Sequence, residues 1–299
     1  MPTFVALLRT CLFPAADAPP LCDPNILETR NFPLTTVHTL ASGSSGNALL
    51  LSCGTTHLLL DAGISCRRIT TSLRELGLSP EDLTAILITH THTDHISGLQ
   101  VLLKKTACPV RASGRTCREL EYRLAGISGR LLPLESSVRY TVGSCTVTAF
   151  PTSHDAPGSC GYRFDTEDGS VGLMTDTGFV TEEAAELLPG VDLAVLESNH
   201  DVEAVRSGPY PYYLKQRILG DQGHLPNEAA ARFAVTLAEH GASEIILAHL
   251  SQENNTPAMA QNAVETALSD AGLAPRLSVA PRDRLSTPHT VCRRAVCRK

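Results

Sequence analysis

Between about residue 35 and residue 287 the chain alternates short apolar runs with amphipathic segments. "ALLLS" (48–52) and "HLLLDAG" (57–63) read as two strands joined by the turn signal "CGTT". "SCTVTAF" (144–150), "SVGLMTD" (170–176), "DLAVLES" (192–198) and "EIILAHL" (244–250) read as further strands. "AILITH" (85–90) follows a segment in which Leu73, Leu76 and Leu78 fall at near-helical spacing. "ISGLQVLLKK" (96–105) reads as a helix, and so does "PNEAAARFAVTLAEHG" (226–241), with Pro226 at its first turn and Gly241 at its stop. Strands occur in both halves, with helices at intervals. The pattern predicts an α+β protein, two mixed sheets packed together with helices on the outer faces, rather than a doubly wound parallel sheet.

The boundaries follow from composition. Residues 1–34, rich in Pro and Ala, read as a loose N-terminal extension, since Arg9 interrupts their one apolar patch and no basic stretch precedes it. Residues 35–287 contain no linker and no short repeat, and read as one domain. Residues 288–299 read as a basic tail.

A chain of 299 residues can bury a substantial core, here of Leu, Val, Ile and Ala because Trp is absent. The net charge of -6 excludes a polybasic binder. It does not exclude an enzyme of nucleic acids, because bound divalent ions would neutralise carboxylates locally. The ten cysteines include no C-x-x-C pair, which points to thiols that are mostly reduced and to a cytoplasmic protein. No apolar stretch is long enough to span a bilayer, so no membrane partner is expected, and the oligomeric state is not legible.

Several strands run directly into a polar residue of one chemical kind. "AILIT" ends at His90, "VTAFPTS" at His154, "GLMT" at Asp176 and "IILA" at His249. Loops at strand ends are where sites are built. A lone His after a strand is more often a cap or a solvated residue. "HTHTDH" (90–95) is different, because His90, His92, Asp94 and His95 crowd into six positions. In an extended loop His90 and His92 point the same way, and Asp94 and His95 can turn toward a second ion. Imidazoles and carboxylates without thiolate suit Zn²⁺, and also Mn²⁺ or Fe²⁺.

The H-x-H-x-D-H string resembles that of the metallo-β-lactamase superfamily, and the other motifs of that superfamily follow in order. Asp61 in "LLLDAG" resembles the first motif, where the aspartate lies beneath the site and orients a ligand. His154 resembles the third, Asp176 in "TDTG" the fourth and His249 in "LAHLS" the fifth. The resemblance implies an αββα sandwich and two divalent metal ions. His90, His92 and His154 would hold one ion, Asp94, His95 and His249 the other, and Asp176 would bridge them. Such a pair lowers the pKa of a shared water and stabilises attacking and leaving oxygens, so the implied chemistry is hydrolysis by a metal-held hydroxide, with Asp94 among the catalytic residues.

Finer motifs, "SGSSGNA", "DTGFV", "ESNHD", "GHLPNEAA" and "AHLSQENN", resemble the bacterial YycJ/WalJ-type branch, regarded as DNA exonucleases and related to ribonuclease Z. That resemblance implies a phosphodiesterase acting on DNA from the 5′ end. It also gives Glu197 and His224 the role of protonating the leaving oxygen. The plainer alternative is that His224 caps the helix starting near Pro226 and Glu197 is a satisfied strand-end carboxylate. His200 would lie close to substrate, or simply on the loop after Glu197. In "SGSSGN", Ser45 and Asn47 could cradle a phosphate, or the segment could be a plain turn. "VRSGPYPYYLKQRI" interleaves Arg206, Lys215 and Arg217 with Tyr210, Tyr212 and Tyr213, which suits a nucleic-acid strand but equally an amphipathic surface helix. The Gly/Pro-rich arm with which ribonuclease Z enzymes grip transfer RNA has no obvious counterpart. The competing readings are ribonuclease Z-like RNA processing, hydrolysis of a thioester, lactam or cyclic phosphodiester, and a metal-binding adaptor without turnover.

Overall fold

A computed structural model of the protein describes residues 34–293. The expected N-terminal extension, apart from Leu34, lies outside the described residues. The first sheet contains β1 (Thr36–Ala41), β2 (Ala48–Cys53), β3 (Thr56–Leu60), β4 (Ala85–Leu87), β5 (Val110–Ser113) and β6 (Leu131–Leu134). The second contains β7 (Arg139–Val142), β8 (Cys145–Pro151), β9 (Cys160–Asp165), β10 (Ser170–Met174), β11 (Leu193–Glu197), β12 (Glu244–Ala248) and β13 (Arg276–Val279). A last strand, β14 (His289–Thr290), returns to the first sheet. The orders are β14-β1-β2-β3-β4-β5-β6 and β13-β12-β11-β10-β9-β8-β7. Each sheet is mixed. β14 to β3 pair antiparallel and β3 to β6 parallel, while β7 to β10 pair antiparallel and β10 to β13 parallel.

The continuous apolar runs have a simple cause, since both faces of these strands are covered. Leu49, Leu51, Leu58 and Leu60 face the second sheet, where they meet Tyr162, Phe164, Leu173, Val195 and Ile246. Leu50 and Leu59 point the other way, onto Ile69 and Leu73 of the helix Cys66–Glu75, Leu102 of the helix Leu99–Leu102 and Leu120 of the helix Gly114–Arg123. On the far side, Leu196, Ile245 and Leu247 pack on Ala184 of the helix Glu182–Leu187, Ala234 and Leu237 of Asn227–Glu239 and Val264 of Pro257–Asp270. Three apolar layers separate four layers of structure, the αββα sandwich. The sheets are also joined by hydrogen bonds close to the site. Tyr162 Oη donates to Ile88 O at 2.7 Å, and Cys160 N donates to Thr89 O at 3.1 Å.

The helix expected over 96–105 is broken into Thr93–Ile96 and Leu99–Leu102. The carbonyl of Asp94, which would accept from Gly98 in a continuous helix, is taken by Asn47 N at 2.8 Å. Gly98 N turns instead to Ala62 O at 2.8 Å. The basic tail also differs from expectation in its first residues. Thr36 and Val37 pair with Thr290 and His289, and His289 Nδ1 donates to Glu244 Oε1 of the second sheet at 2.6 Å. Sheet pairing therefore continues past Thr287.

The buried Tyr162 hydroxyl gives a test of the seam between sheets. Tyr162→Phe leaves the Ile88 carbonyl without that donor and is expected to cost about 1–3 kcal/mol in urea denaturation. Unchanged stability would show that water or local relaxation replaces the bond.

Candidate metal centre

The strands that carry the chemistry run out at one end of the seam, and their next residues turn inward. Asp61 follows β3, Asp176 follows β10 by one residue, and His249 follows β12; all three are left-handed, with φ of 59°, 58° and 56°. Non-glycine residues rarely adopt this region, and its use three times around one cluster marks a constrained site. The loop carrying His90 to His95 is held by backbone bonds. Asp61 N donates to Leu87 O, Ala62 N to His95 O and Gly63 N to Asn47 O, each at 2.8 Å. These turns are so close that a Cβ on Gly63 would lie 1.5 Å from Asp94 O, so only glycine fits there.

The expected ligand residues converge. Ligand atoms of His90, His92 and His154 lie within 4.8 Å of one another, as do those of Asp94, His95 and His249. His90, His95 and Asp176 form a third such group. Asp176 lies between the first two groups: Oδ1 is 3.8 Å from His154 Nε2 and 3.5 Å from His249 Nε2, and Oδ2 is 3.5 Å from His95 Nε2. His90 Nε2, His249 Nε2 and Asp176 Oδ2 are buried without a hydrogen-bond partner. Orphaned lone pairs inside a protein are costly unless something binds them. Three or four nitrogen and oxygen donors at this span suit an ion with bonds of about 2.0–2.2 Å, so the residues fit divalent cations.

Two buried carboxylates support the cluster, one from each sheet. Asp61 accepts from Thr89 N at 2.8 Å, Thr89 Oγ1 at 2.9 Å and His95 Nδ1 at 2.8 Å. Glu197, at the end of β11, accepts from His224 Nδ1 at 2.8 Å and His249 Nδ1 at 2.9 Å through Oε1. Its Oε2 accepts from Thr177 N at 2.9 Å and Leu225 N at 3.2 Å. Metal-binding imidazoles are commonly held in this way through their second nitrogen. The helix-capping alternative for His224 does not hold. Pro226 is the cap of Asn227–Glu239, with no side-chain capping bond, and the imidazole faces Glu197.

The charges interlock. Burial opposes ionisation of Asp176, yet the imidazoles of His249 and His95 hold it well below the usual carboxylate range. Burial likewise opposes ionisation of Glu197, and His224 outweighs it, to about 2. Burial would lower His249, but Asp176, Asp94 and Glu197 lift it to about 10. His95 is lifted well above normal by Asp176 and Asp61 against the same burial penalty. His90 is pushed well below normal, first by burial and then by His95. The carboxylates thus demand compensating positive charge.

Two expected substrate contacts take other positions. His200 is fully buried, its Nδ1 3.3 Å from Asn199 Oδ1, so it stands behind the site rather than on its surface. Burial lowers its pKa to about 4. The Asn47 side chain is engaged within the protein: Oδ1 accepts from Gly43 N at 2.8 Å, and Nδ2 lies 3.3 Å from Asp94 Oδ2 and 3.0 Å from His95 Nε2. It positions the cluster. Ser45 is exposed on the same turn. Other supports have roles that the sequence does not assign. Arg123 Nη1 donates to Thr91 O at 2.7 Å, Asn199 Nδ2 to His249 O at 2.7 Å, and Ser42 Oγ accepts from His249 N at 2.8 Å. Asp155 Oδ1 lies 3.5 Å from both His92 Nε2 and His154 Nε2.

Residues 56–250 match the family model described as the Beta-lactamase superfamily domain. The chain is 41% identical over 237 residues to exodeoxyribonuclease WalJ of Streptococcus pneumoniae serotype 2, covering 78% of this chain and 88% of that protein. It is 37% identical over 239 residues to exodeoxyribonuclease YycJ of Bacillus anthracis, covering 78% and 89%. Among solved structures, the metallo-β-lactamase fold protein YhfI of Bacillus subtilis superposes with a TM-score of 0.66 at 16% identity, covering 86% of this chain and all of that one. The short form of human tRNase Z gives 0.57 at 18%, covering 84% and 98%. These two likenesses are of fold.

The elevated His249 has a measurable consequence in chelator-treated protein. A raised folded pKa contributes stability in full below about pH 6.5, the unfolded value, and loses it as pH rises through about 10. The melting temperature of the metal-free protein should therefore fall between pH 7 and 10, and fall less steeply in His249→Gln. Equal slopes would show that the His249 ion pairs do not form in solution.

Proposed function

Since the chain belongs to the metallo-β-lactamase superfamily, with exodeoxyribonucleases among its relatives, we propose that it is a metal-dependent DNA exonuclease working from the 5′ end. His90, His92 and His154 would hold one divalent ion and Asp94, His95 and His249 a second, with Asp176 shared; Zn²⁺ and Mn²⁺ suit these donors, and Fe²⁺ is compatible. Bound there, the ions would supply a water acidified to attack phosphorus and positive charge for the phosphate oxygens. A cytoplasmic location accords with this substrate and with the six free thiols among the described residues, although Cys292 is disulfide-bonded. No helix among the described residues is long and apolar enough to cross a membrane.

The observation that carries the reading is the Glu197–His224 pair beside the cluster. Phosphodiester hydrolysis breaks a P–O bond to an alkoxide, which needs a proton as it leaves. Glu197 holds His224 through Nδ1, which leaves Nε2 of the partly exposed ring as the nitrogen that would donate. Hydroxide from water would add to phosphorus, the P–O3′ bond would break and the His224 proton would pass to O3′, with the proton released by the water restoring His224. Asp94 and Asp176 would act with the imidazoles as ligands, while Asp61 and Glu197 hold His95 and His249 through Nδ1. A thioester would release a thiolate, which has no such need.

The substrate class is tested with Mn²⁺- and Zn²⁺-loaded protein on end-labelled DNA, matched RNA, a cephalosporin and a glutathione thioester. DNA should be degraded and the acyl substrates left intact, with a 5′ block slowing release and a 3′ block having no effect. Rapid lactam or thioester turnover with inert DNA would replace the nuclease reading. Cleavage confined to transfer-RNA precursors would place the protein with RNA processing.

The residue roles separate by elemental analysis alongside kinetics. His224→Ala should keep full metal content and slow cleavage roughly 10²–10⁴-fold, with a smaller loss on a nitrophenyl phosphodiester. Asp176→Ala should reduce occupancy of both positions. Loss of metal in His224→Ala would make that residue a ligand or support instead of a proton donor.

A further inference from the structure

The helix Tyr212–Leu219 stands at the rim of the cluster and takes no part in the chemistry described above. Its C-terminal end leads directly into the site. His224 N donates to Ile218 O at 3.2 Å, and the next turn presents Gly223 O to His154 Nδ1 at 3.0 Å. Arg217 Nε donates to Asp155 Oδ2 at 2.6 Å. The other oxygen of Asp155 is the one 3.5 Å from His92 and His154. An ion pair this exposed contributes little to stability, but it fixes the direction of a guanidinium. The terminal nitrogens of Arg217 have no protein partner among the described residues. Tyr213 lies four residues earlier, one turn along the same face, with 74% of its surface exposed. Tyr212, 76% exposed, is turned roughly 100° around the helix from Tyr213 and lines a groove of about 460 Å³ with Arg206 and Lys215.

A large exposed ring and an aimed, unsatisfied guanidinium one helical turn apart match the two things one nucleotide offers, a π-face and a phosphate. We propose that Tyr213 and Arg217 form a nucleotide-binding step adjoining the cluster, with Arg217 holding a backbone phosphate of the substrate strand and Tyr213 stacking on an unpaired base. This deepens the nuclease reading and rests on it. The occupant is a single strand, because a base within a duplex keeps its faces against its neighbours. The step places one local cation on a protein that is acidic overall, so the strand is gripped beside the site and not along a broad basic track.

The absence of Trp makes the step directly observable, because Tyr213→Trp introduces the single indole of the chain and keeps a stacking ring. With chelator present to keep the strand intact, oligothymidylate should quench Tyr213→Trp saturably and leave Tyr212→Trp nearly unchanged. Adding Arg217→Ala should weaken binding about tenfold and lower the slope of affinity against salt by about 1, while Arg217→Lys should recover part of the affinity. Annealing the complement should abolish the quench. Equal quenching at positions 212 and 213, or affinity indifferent to Arg217, would overturn the assignment, as would a quench that persists on duplex DNA. Degradation of DNA by the wild-type protein without a quench at position 213 would remove the step and leave the nuclease reading intact. A quench without degradation would do the reverse.

Discussion

Two buried carboxylates, Asp61 on the first sheet and Glu197 on the second, organise everything else at the site. Asp61 directly follows β3 and Glu197 is the last residue of β11, and each gathers backbone and side-chain donors from neighbouring turns. Glu197 alone joins three segments, those of Thr177, His224 and His249. A carboxylate stripped of water is stable only with such a set of donors. Losing any one of the turns would leave it unsatisfied, so the loops are fixed by the same groups that orient the imidazoles. The hydrogen bonds linking Tyr162 and Cys160 to the strand below His90 extend the same constraint across the seam, because both sheets must keep their spacing for one cluster to form.

The fold was legible to the extent that its strands are apolar on both faces. "HLLLDAG" and "EIILAHL" announce buried strands because two layers press on them. The first two short helices were harder to see, since their break at Gly98 depends on Asn47 arriving from a turn far away in the chain. At the site, the density of histidines in "HTHTDH" distinguishes that segment without reference to any structure. His154, Asp176 and His249 are individually ordinary and gain their meaning from order along the chain. Thr89, Arg123 and Asp155 belong to common residue types with no internal pattern, and only tertiary proximity gives them a role. Asn47 and His200 show the converse case. Beside a motif, a polar residue reads equally as a substrate contact or as plain loop, whereas in the fold one is tied into the cluster's own support and the other is buried behind it.

The left-handed residues show where this architecture holds strain. Asp61, Asp176 and His249 each give up a favourable backbone conformation, at roughly 1–3 kcal/mol apiece. In an ordinary strand the side chain after the last ladder pair would continue the alternation between the two apolar layers. The sharp reversal takes it out of that alternation and sends it along the seam, where groups from different strands can meet. The three apolar layers supply the stability against which such strain is held.

The two-residue strand β14 has a consequence for how molecules meet one another. A bare sheet edge is a template on which another chain can add a strand. β1 would present such an edge, and all but the first of its residues are buried. His289 and Thr290 occupy the beginning of that edge, and the bond from His289 to Glu244 ties them to the opposite sheet. What reads as a basic tail therefore begins as a guard: the chain spends its own backbone donors and acceptors where a neighbour's would otherwise fit.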